Sequence, residues 1–398
     1  MKGLAIVILW IGISTRLFSQ SGPAGVGTST HNVLWLKANA GTSTTTDGAA
    51  ISSWNDQSGN GVNVSQSTAA QRPTYKSSLM NGMPAIEFDN STTAGQNDYL
   101  TAPDNAILDN TAGYTTFSVL RMKNLNGEAR CIVSKRTSID TDEAFMFFFY
   151  SSNYLHLDID GLGNRFNGTN AYAVNTNYLV GFGFDGSLTS TSRSKLTEGD
   201  STRKISTESS STVPDKSSPL VIGATHASDD RPFSGYISEL ILYRTALAVA
   251  PQTIIYNYLS AKYDIALLKN DKYAGDNAAN GNYDFDVAGI GKEVSGSNTD
   301  FDASVSRGLK ITANSGLDNG DYLLVGNKAP ANWENRIDVG GMTGTNNARW
   351  ERIWYVDVTN TSTAIAADIE FDFSDAGISG GPGTASNYVL LYRAGLSG

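Results

Sequence analysis

The chain has 398 residues, of which 17% are charged and 40 are glycine, with a formal net charge of −10 and one cysteine. Sparse charge and abundant glycine favour short strands joined by turns over helical bundles, and an acidic balance without a basic stripe excludes nucleic acid and anionic membrane surfaces as expected partners. A lone cysteine makes no internal disulfide, so the fold must rest on its apolar core, with Cys131 read as a small buried residue and not as a nucleophile.

Lys2 followed by the apolar run at residues 4–13 reads as an export signal cut near Gln20, giving a signal peptide over residues 1–20. The run is too short to span a bilayer, which takes roughly 20 apolar residues. Losing Lys2 and Arg16 with it moves the formal net charge from −10 to −12. No later run is long enough to cross, so the mature chain is expected to lack a membrane span.

HNVLWLKANA reads as a first strand with Val33, Trp35 and Leu36 pointing inward. SWNDQSGNGVN, residues 53–63, follows and is predicted to bend sharply, since glycine tolerates positive φ and Asn or Asp caps its own backbone. A second reading of the same run is ligand contact by Trp54, Asp56 and Asn60, a flat apolar ring beside polar oxygens. Asp56, Asn60 and Asn63 would also offer oxygen ligands to calcium, as would Asp271, Asp276, Asn280, Asp284 and Asp286 further on.

PAIEFD alternates, with Ala85 and Glu87 on one face and Ile86 and Phe88 on the other. TTFSVLRM, RCIVSK, AFMFFFY, YLHLDID, YLVGFGFDG, PLVIGA and GYISELILYR continue the series, each short, apolar and bounded by turn residues. The polar run at residues 188–218 is read as weak outer strands around Lys195-Leu196-Thr197 and residues 203–206. One helix is predicted near 251–264, with Pro251 in its first turn and Ile254, Ile255, Tyr258 and Leu259 along one face. A Gly/Asn/Asp-rich stretch then forms a seam, after which DVAGIG, GLKITA, DYLLVGN, RWERIWYVDV, AADIEFDF and NYVLLYRA resume the strand pattern. The sequence stops at YRAGLSG, directly after a predicted strand, so the second unit is expected to be truncated.

VLWLKAN, WNDQSGNGVN, RPTYKSSLMNGMPAIEFDN and GYISELILYRTAL together resemble the concanavalin A-like lectin/glucanase jelly roll, in its LamG/pentraxin-type form. IIYNYLSAKYDI, DFDVAGIGKE, DYLLVGN and RWERIWYVDV resemble the β domain that follows such modules in large exported proteins of gram-negative bacteria. The resemblance implies an all-β chain: an antiparallel two-sheet jelly-roll sandwich over 22–246, a linking helix over 247–268, and a second, smaller β-sandwich domain over 269–398. It also implies a secreted or cell-surface protein engaged in adhesion or carbohydrate binding, with calcium a possible ion at a sandwich rim. The recurrence of the WNDQSGNG loop in that family supports the bend reading.

Motifs for chemistry are largely missing. Glucanases of this fold place Glu-x-Asp-x-x-Glu on one strand so that two carboxylates flank the bond; this motif is absent. Asp158 with Asp160, and Asp368 with Glu370 and Asp372, share strand faces, as one-sided wetting also produces, and are read as solvent-face carboxylates. GISGG, residues 377–381, matches G-x-S-x-G but has no histidine after it, and AGIGKEV fails the P-loop pattern at Asp286 and Glu293. His31, His156 and His226 lack metal-ligand spacing. Trp333, Trp350 and Trp354 read as core. The expected function is therefore a non-catalytic carbohydrate-binding or adhesion protein taking a glycan or a surface protein, at loops or on a concave face. The alternatives are a glycoside hydrolase with an unusual acid pair and a structural spacer without a ligand.

Overall fold

The computed structural model describes residues 22–89, 95–109, 112–137, 143–160, 165–206, 210–226, 231–301, 308–328, 334–335, 349–350, 352–371 and 390–392. The expected signal segment, the GISGG run, Trp333, Asp372 and Phe373 lie outside them. The chain divides into two compact units, one of Ser29–Leu247 with Tyr263–Lys269, the other of Ala248–Lys262 with the described parts of Met1–Thr28 and Asn270–Gly398.

In the first unit the strands, in chain order, are β1 (Asn32–Lys37), β2 (Ser53–Trp54), β3 (Val64–Ser65), β4 (Thr74–Met80), β5 (Met83–Phe88), β6 (Leu100–Ala102), β7 (Gly113–Met122) and β8 (Arg130–Lys135). They continue with β9 (Phe145–Tyr150), β10 (Tyr154–Ile159), β11 (Phe166–Ala171), β12 (Asn177–Asp185), β13 (Ser194–Glu198), β14 (Ser201–Ser206), β15 (Leu220–Ile222) and β16 (Gly235–Tyr243). Two eight-stranded antiparallel sheets result: β14-β13-β12-β7-β16-β5-β4 with β1 on β16, and β11-β10-β9-β8-β15-β6-β3-β2.

Period-two alternation sorts their side chains. Ile86, Phe88, Leu120, Phe182 and Leu240 of the first sheet share one core with Ile132, Phe145, Phe147, Leu155, Leu157 and Leu220 of the second. Across it Phe182 meets Phe145 at 5.6 Å and Phe147 at 5.2 Å between ring centroids, tilted packings that add to plain area burial. The two sheets thus pack their inner faces on one shared core, as expected of a sandwich. Glu87 turns away from that core, as its alternation predicts, and binds Lys76 at 2.9 Å and Lys123 at 2.6 Å. The Ser/Thr-rich run does supply outer strands, since β14 ends the first sheet.

In β1 all of Asn32 to Leu36 is buried, Leu34 included. A register shift between Asn32 and Leu34 lets Val33, Leu34 and Leu36 join the common core. Trp35 is buried separately, its indole N–H donating to Glu239 Oε1 at 2.6 Å.

The second unit holds most of α1 (Val249–Tyr263), then β17 (Phe285–Glu293), β18 (Gly296–Asn298), β19 (Asp300–Phe301), β20 (Leu309–Ser315), β21 (Tyr322–Asn327), β22 (Glu334–Asn335), β23 (Arg349–Trp350), β24 (Trp354–Thr359) and β25 (Ala366–Phe371). Sheets β18-β17-β21-β24 and β19-β20-β25 enclose a small core of Ala288, Ile290, Leu309, Ile311, Leu323, Val325, Ala367 and Ile369, with Trp354 and Phe371 packed on it. Asp368 and Glu370 face outward, as expected, and are taken up by Asn314 and Lys310. The helix departs from its one-faced pattern: every residue from 250 to 263 is buried. Its polar positions are satisfied internally, Asn257 donating to the Thr253 and Asn270 carbonyls and accepting from Lys272 N–H.

Among the described residues no helix is long and apolar enough to cross a membrane.

Candidate functional site

The bend at residues 53–63 is built around Asp56. Its Oδ1 accepts from Trp35 N–H and Ser58 N–H, both at 2.9 Å, and its Oδ2 from Ser58 Oγ at 2.7 Å and Val62 N–H at 3.3 Å. Asn60 Nδ2 donates to the carbonyls of Ser29 and Asn32 and contacts Ser58 Oγ. Trp54 is 0% exposed, and its indole N–H donates to the Lys37 carbonyl at 3.0 Å. Gly41 closes the bend at φ +81°, where an added Cβ would lie 2.6 Å from the Asn55 carbonyl oxygen. Four accepted bonds use the lone-pair capacity of the Asp56 carboxylate, so this loop does not fit a calcium ion. No three His, Cys, Asp or Glu side chains converge as metal ligands among the described residues.

A second location emerges on the outer face of the second sheet. On β9 the alternation that sends Phe145, Phe147 and Phe149 inward leaves Met146, Phe148 and Tyr150 outward. On β10 it leaves His156 and Asp158 on the same outer side, opposite Phe148 and Met146. These residues underlie a groove of about 530 Å³, lined by Glu128, Arg130, Arg136, Phe148, Tyr150, Arg165 and Arg231, among others.

Arg165, Arg136 and Arg130 are each seated by a carboxylate. Arg165 binds Asp158 through Nε at 2.7 Å and Nη2 at 2.5 Å. Arg136 meets Glu143 at 3.3 Å, and Arg130 meets Glu128 at 2.9 Å. Asp158 is therefore not a solvent-face carboxylate: it is 0% exposed, whereas Asp160 is exposed. Its partner stands seven residues on, beyond a turn, where alternation alone gives no sign of it. Arg165 also lies 5.1 Å from the Phe148 ring centroid, a cation–π contact. Burial pushes the Arg130 guanidinium below its ordinary value.

His156 lies beside Phe148, with ring centroids 5.1 Å apart, and its Nε2 is 3.2 Å from the Tyr150 carbonyl. That carbonyl only accepts, so Nε2 carries the proton and the buried, unpartnered Nδ1 is the bare nitrogen. Burial, then the nearby Arg165 charge, lowers the imidazole pKa to about 4, so it is neutral at physiological pH. Cys131, on the same side of the sheet, is fully buried and pushed up to about 12 by desolvation, which leaves it an inert thiol.

Among the described residues Glu128, 67% exposed, is the one carboxylate in the lining. Hydrolysis by a facing acid pair needs two. Tyr150 is 39% exposed and offers a ring to a ligand. The groove's arginines come from positions 130, 136, 165 and 231, which no local motif links; the available sequence signal was β9 itself, apolar on both faces.

Residues 94–250 match the concanavalin A-like lectin/glucanases superfamily, in its laminin G-type family, and include β7 to β16. No curated protein matches the chain. Among solved structures, Trypanosoma rangeli sialidase in complex with sialic acid is similar at 12% identity and a TM-score of 0.39, over 60% of this chain and 35% of that one. Domain 4 of AbnA, a GH43 extracellular arabinanase from Geobacillus stearothermophilus, in complex with arabinotriose, matches at 13% identity and a TM-score of 0.37, over 53% of this chain and 98% of that one. The binding domain of paraclostridial mosquitocidal protein 1 matches at 12% identity and a TM-score of 0.42, over 75% and 64%. This chain spans about a third of the length of the sialidases it matches.

Proposed function

We propose that this is an exported, non-catalytic carbohydrate-binding protein that holds a glycan in the groove on the outer face of the second sheet. The observation that carries the reading is the pairing of the half-exposed Tyr150 ring with the guanidinium-rich wall around it. A sugar needs both parts: its C–H face packs on an aromatic ring, and its hydroxyls take fixed, directional donors. The lectin/glucanase family match over residues 94–250 includes every named lining residue of this groove and supports the same class of ligand.

Binding without hydrolysis is supported by the lining, in which Glu128 is the one carboxylate among the described residues, and by the ion pairs that hold Glu128, Asp158 and Glu143. Export is supported by Lys2 and the apolar run at residues 4–13. A glycan array followed by calorimetry on the best hit tests the proposal. Wild type binds at least one glycan and Tyr150→Ala loses tenfold or more of that affinity; binding unchanged in the variant would refute the site.

A further inference from the structure

We infer that Glu128 sets the specificity of this groove by accepting hydrogen bonds from two neighbouring hydroxyls of a neutral sugar stacked on Tyr150, an inference that rests on the glycan reading above.

Glu128 and Tyr150 share one end of the groove. Both line it, and the turns that carry them are tied together. Ser151 N–H donates to the Gly127 carbonyl at 3.2 Å, and Gly127 N–H donates to Asn153 Oδ1 at 3.2 Å. Glu128 follows Gly127 in the chain, and Tyr150 precedes Ser151. The turn after Tyr150 holds Ser151, Ser152 and Asn153 at φ +27°, +60° and +60°, a left-handed run that residues other than glycine rarely adopt. Strain of this kind persists where the surroundings over-determine the backbone, and it collects at ligand sites.

Exposure decides which group a ligand meets. At 67% exposed, Glu128 is the most accessible charged side chain of the lining among the described residues. Arg165 is 29% exposed, Arg231 is half-buried, and Arg130 and Arg136 are almost wholly buried. An ionised carboxylate only accepts, so it suits hydroxyl donors and disfavours a ligand carboxylate or sulfate.

The Glu128 carboxylate is also held in place before a ligand arrives. Arg130 Nη2 donates to Glu128 Oε2 at 2.9 Å and to Asn126 Oδ1 at 3.0 Å, and its Nη1 donates to the Pro232 carbonyl at 3.4 Å. Among the described residues nothing bonds Glu128 Oε1. A long side chain ordered in this way loses little further freedom on binding. Its free lone pairs then span two adjacent ring hydroxyls through charge-assisted bonds, while the C–H face of the sugar rests on Tyr150.

Calorimetry on the full chain tests this with cellohexaose, xylohexaose, mannohexaose and arabinohexaose, each beside its fully O-methylated form, and with oligogalacturonate as the acidic probe. The proteins are wild type, Glu128→Gln and Tyr150→Ala. Glu128 is exposed, so the near-isosteric replacement leaves the core intact. The expected result is that at least one free neutral probe binds and loses about tenfold or more of its affinity in Glu128→Gln. That variant also narrows the gap between the free and the O-methylated probe, as coupling between the carboxylate and the hydroxyls requires. A free probe that binds Glu128→Gln as well as wild type, yet is lost in Tyr150→Ala, would overturn this inference and leave the glycan reading standing. The same holds if O-methylation costs nothing, or if oligogalacturonate binds tighter than every neutral probe. Failure of every probe to bind would overturn both.

Discussion

Arg165 and Asp158 form a two-point ion pair on the outer face of the second sheet, with the carboxylate fully buried and the arginine side chain 29% exposed. The pair converts a strand residue that ought to face water into the foundation of a cationic wall. A buried carboxylate stripped of its partner is strongly unfavourable, while replacing both partners by apolar groups is often tolerated.

Arg165→Leu is accordingly expected to destabilise the first unit by about 3 kcal/mol, the lower end of the range for breaking such a pair because the arginine is partly hydrated. The double variant Asp158→Leu with Arg165→Leu recovers most of that loss. Urea unfolding of the three proteins checks it; a double variant no more stable than the single one contradicts the pairing as the cause.

Asp56 is expected to matter for stability and not for the ligand. Asp56→Ala leaves the N–H groups of Trp35, Ser58 and Val62 without their acceptor, a loss on the order of 2–4 kcal/mol when several buried donors are orphaned together. Folded Asp56→Ala protein should retain wild-type glycan affinity within about twofold, measured by calorimetry at low temperature. A large affinity loss in a fully folded variant would move the site to the bend.

How much of this was legible follows from the range of the forces. The sandwich was readable because alternation is local: Ile86 and Phe88 against Glu87 announce an inner and an outer face within four residues. The bend was readable for the same reason, through its glycines and Asx residues. The groove was not, since Arg130, Arg136, Arg165 and Arg231 meet only after the sheet has formed and the chain has folded back. Asp158 was misplaced because a buried ion pair and a wet strand face leave the same pattern in one strand. The helix was legible through Ile254, Ile255, Tyr258 and Leu259 on one face, but the burial of its other faces was not. Asn257 is satisfied by Thr253, Asn270 and Lys272, and Lys262 by the Tyr258 hydroxyl, only once the chain has folded.

His156 gives the pH dependence a sign. Its pKa falls from an ordinary 6.5 to about 4 in the folded chain, so between those values the unfolded chain binds more protons. Stability contributed by the neutral ring is present above about pH 6.5 and is lost as pH drops toward 4. Proton NMR should show the His156 ring unprotonated at pH 5.5, and His156→Gln should remove part of the acid-side loss of stability. A midpoint near 6.5 would contradict the buried, neutral assignment.

Tyr150→Phe separates the ring from its hydroxyl. Stacking needs only the aromatic face, so affinity for the array-selected glycan should change by less than about threefold, while Tyr150→Ala loses tenfold or more. Equal losses in the two variants would point to the hydroxyl instead.

The most direct measurement is a crystal structure of the chain with the array-selected glycan bound. The account predicts saccharide density packed on Tyr150, between Arg165 and Arg231. Saccharide seated at Trp54 and Asp56, or in the second unit, with the groove left to water, would contradict it.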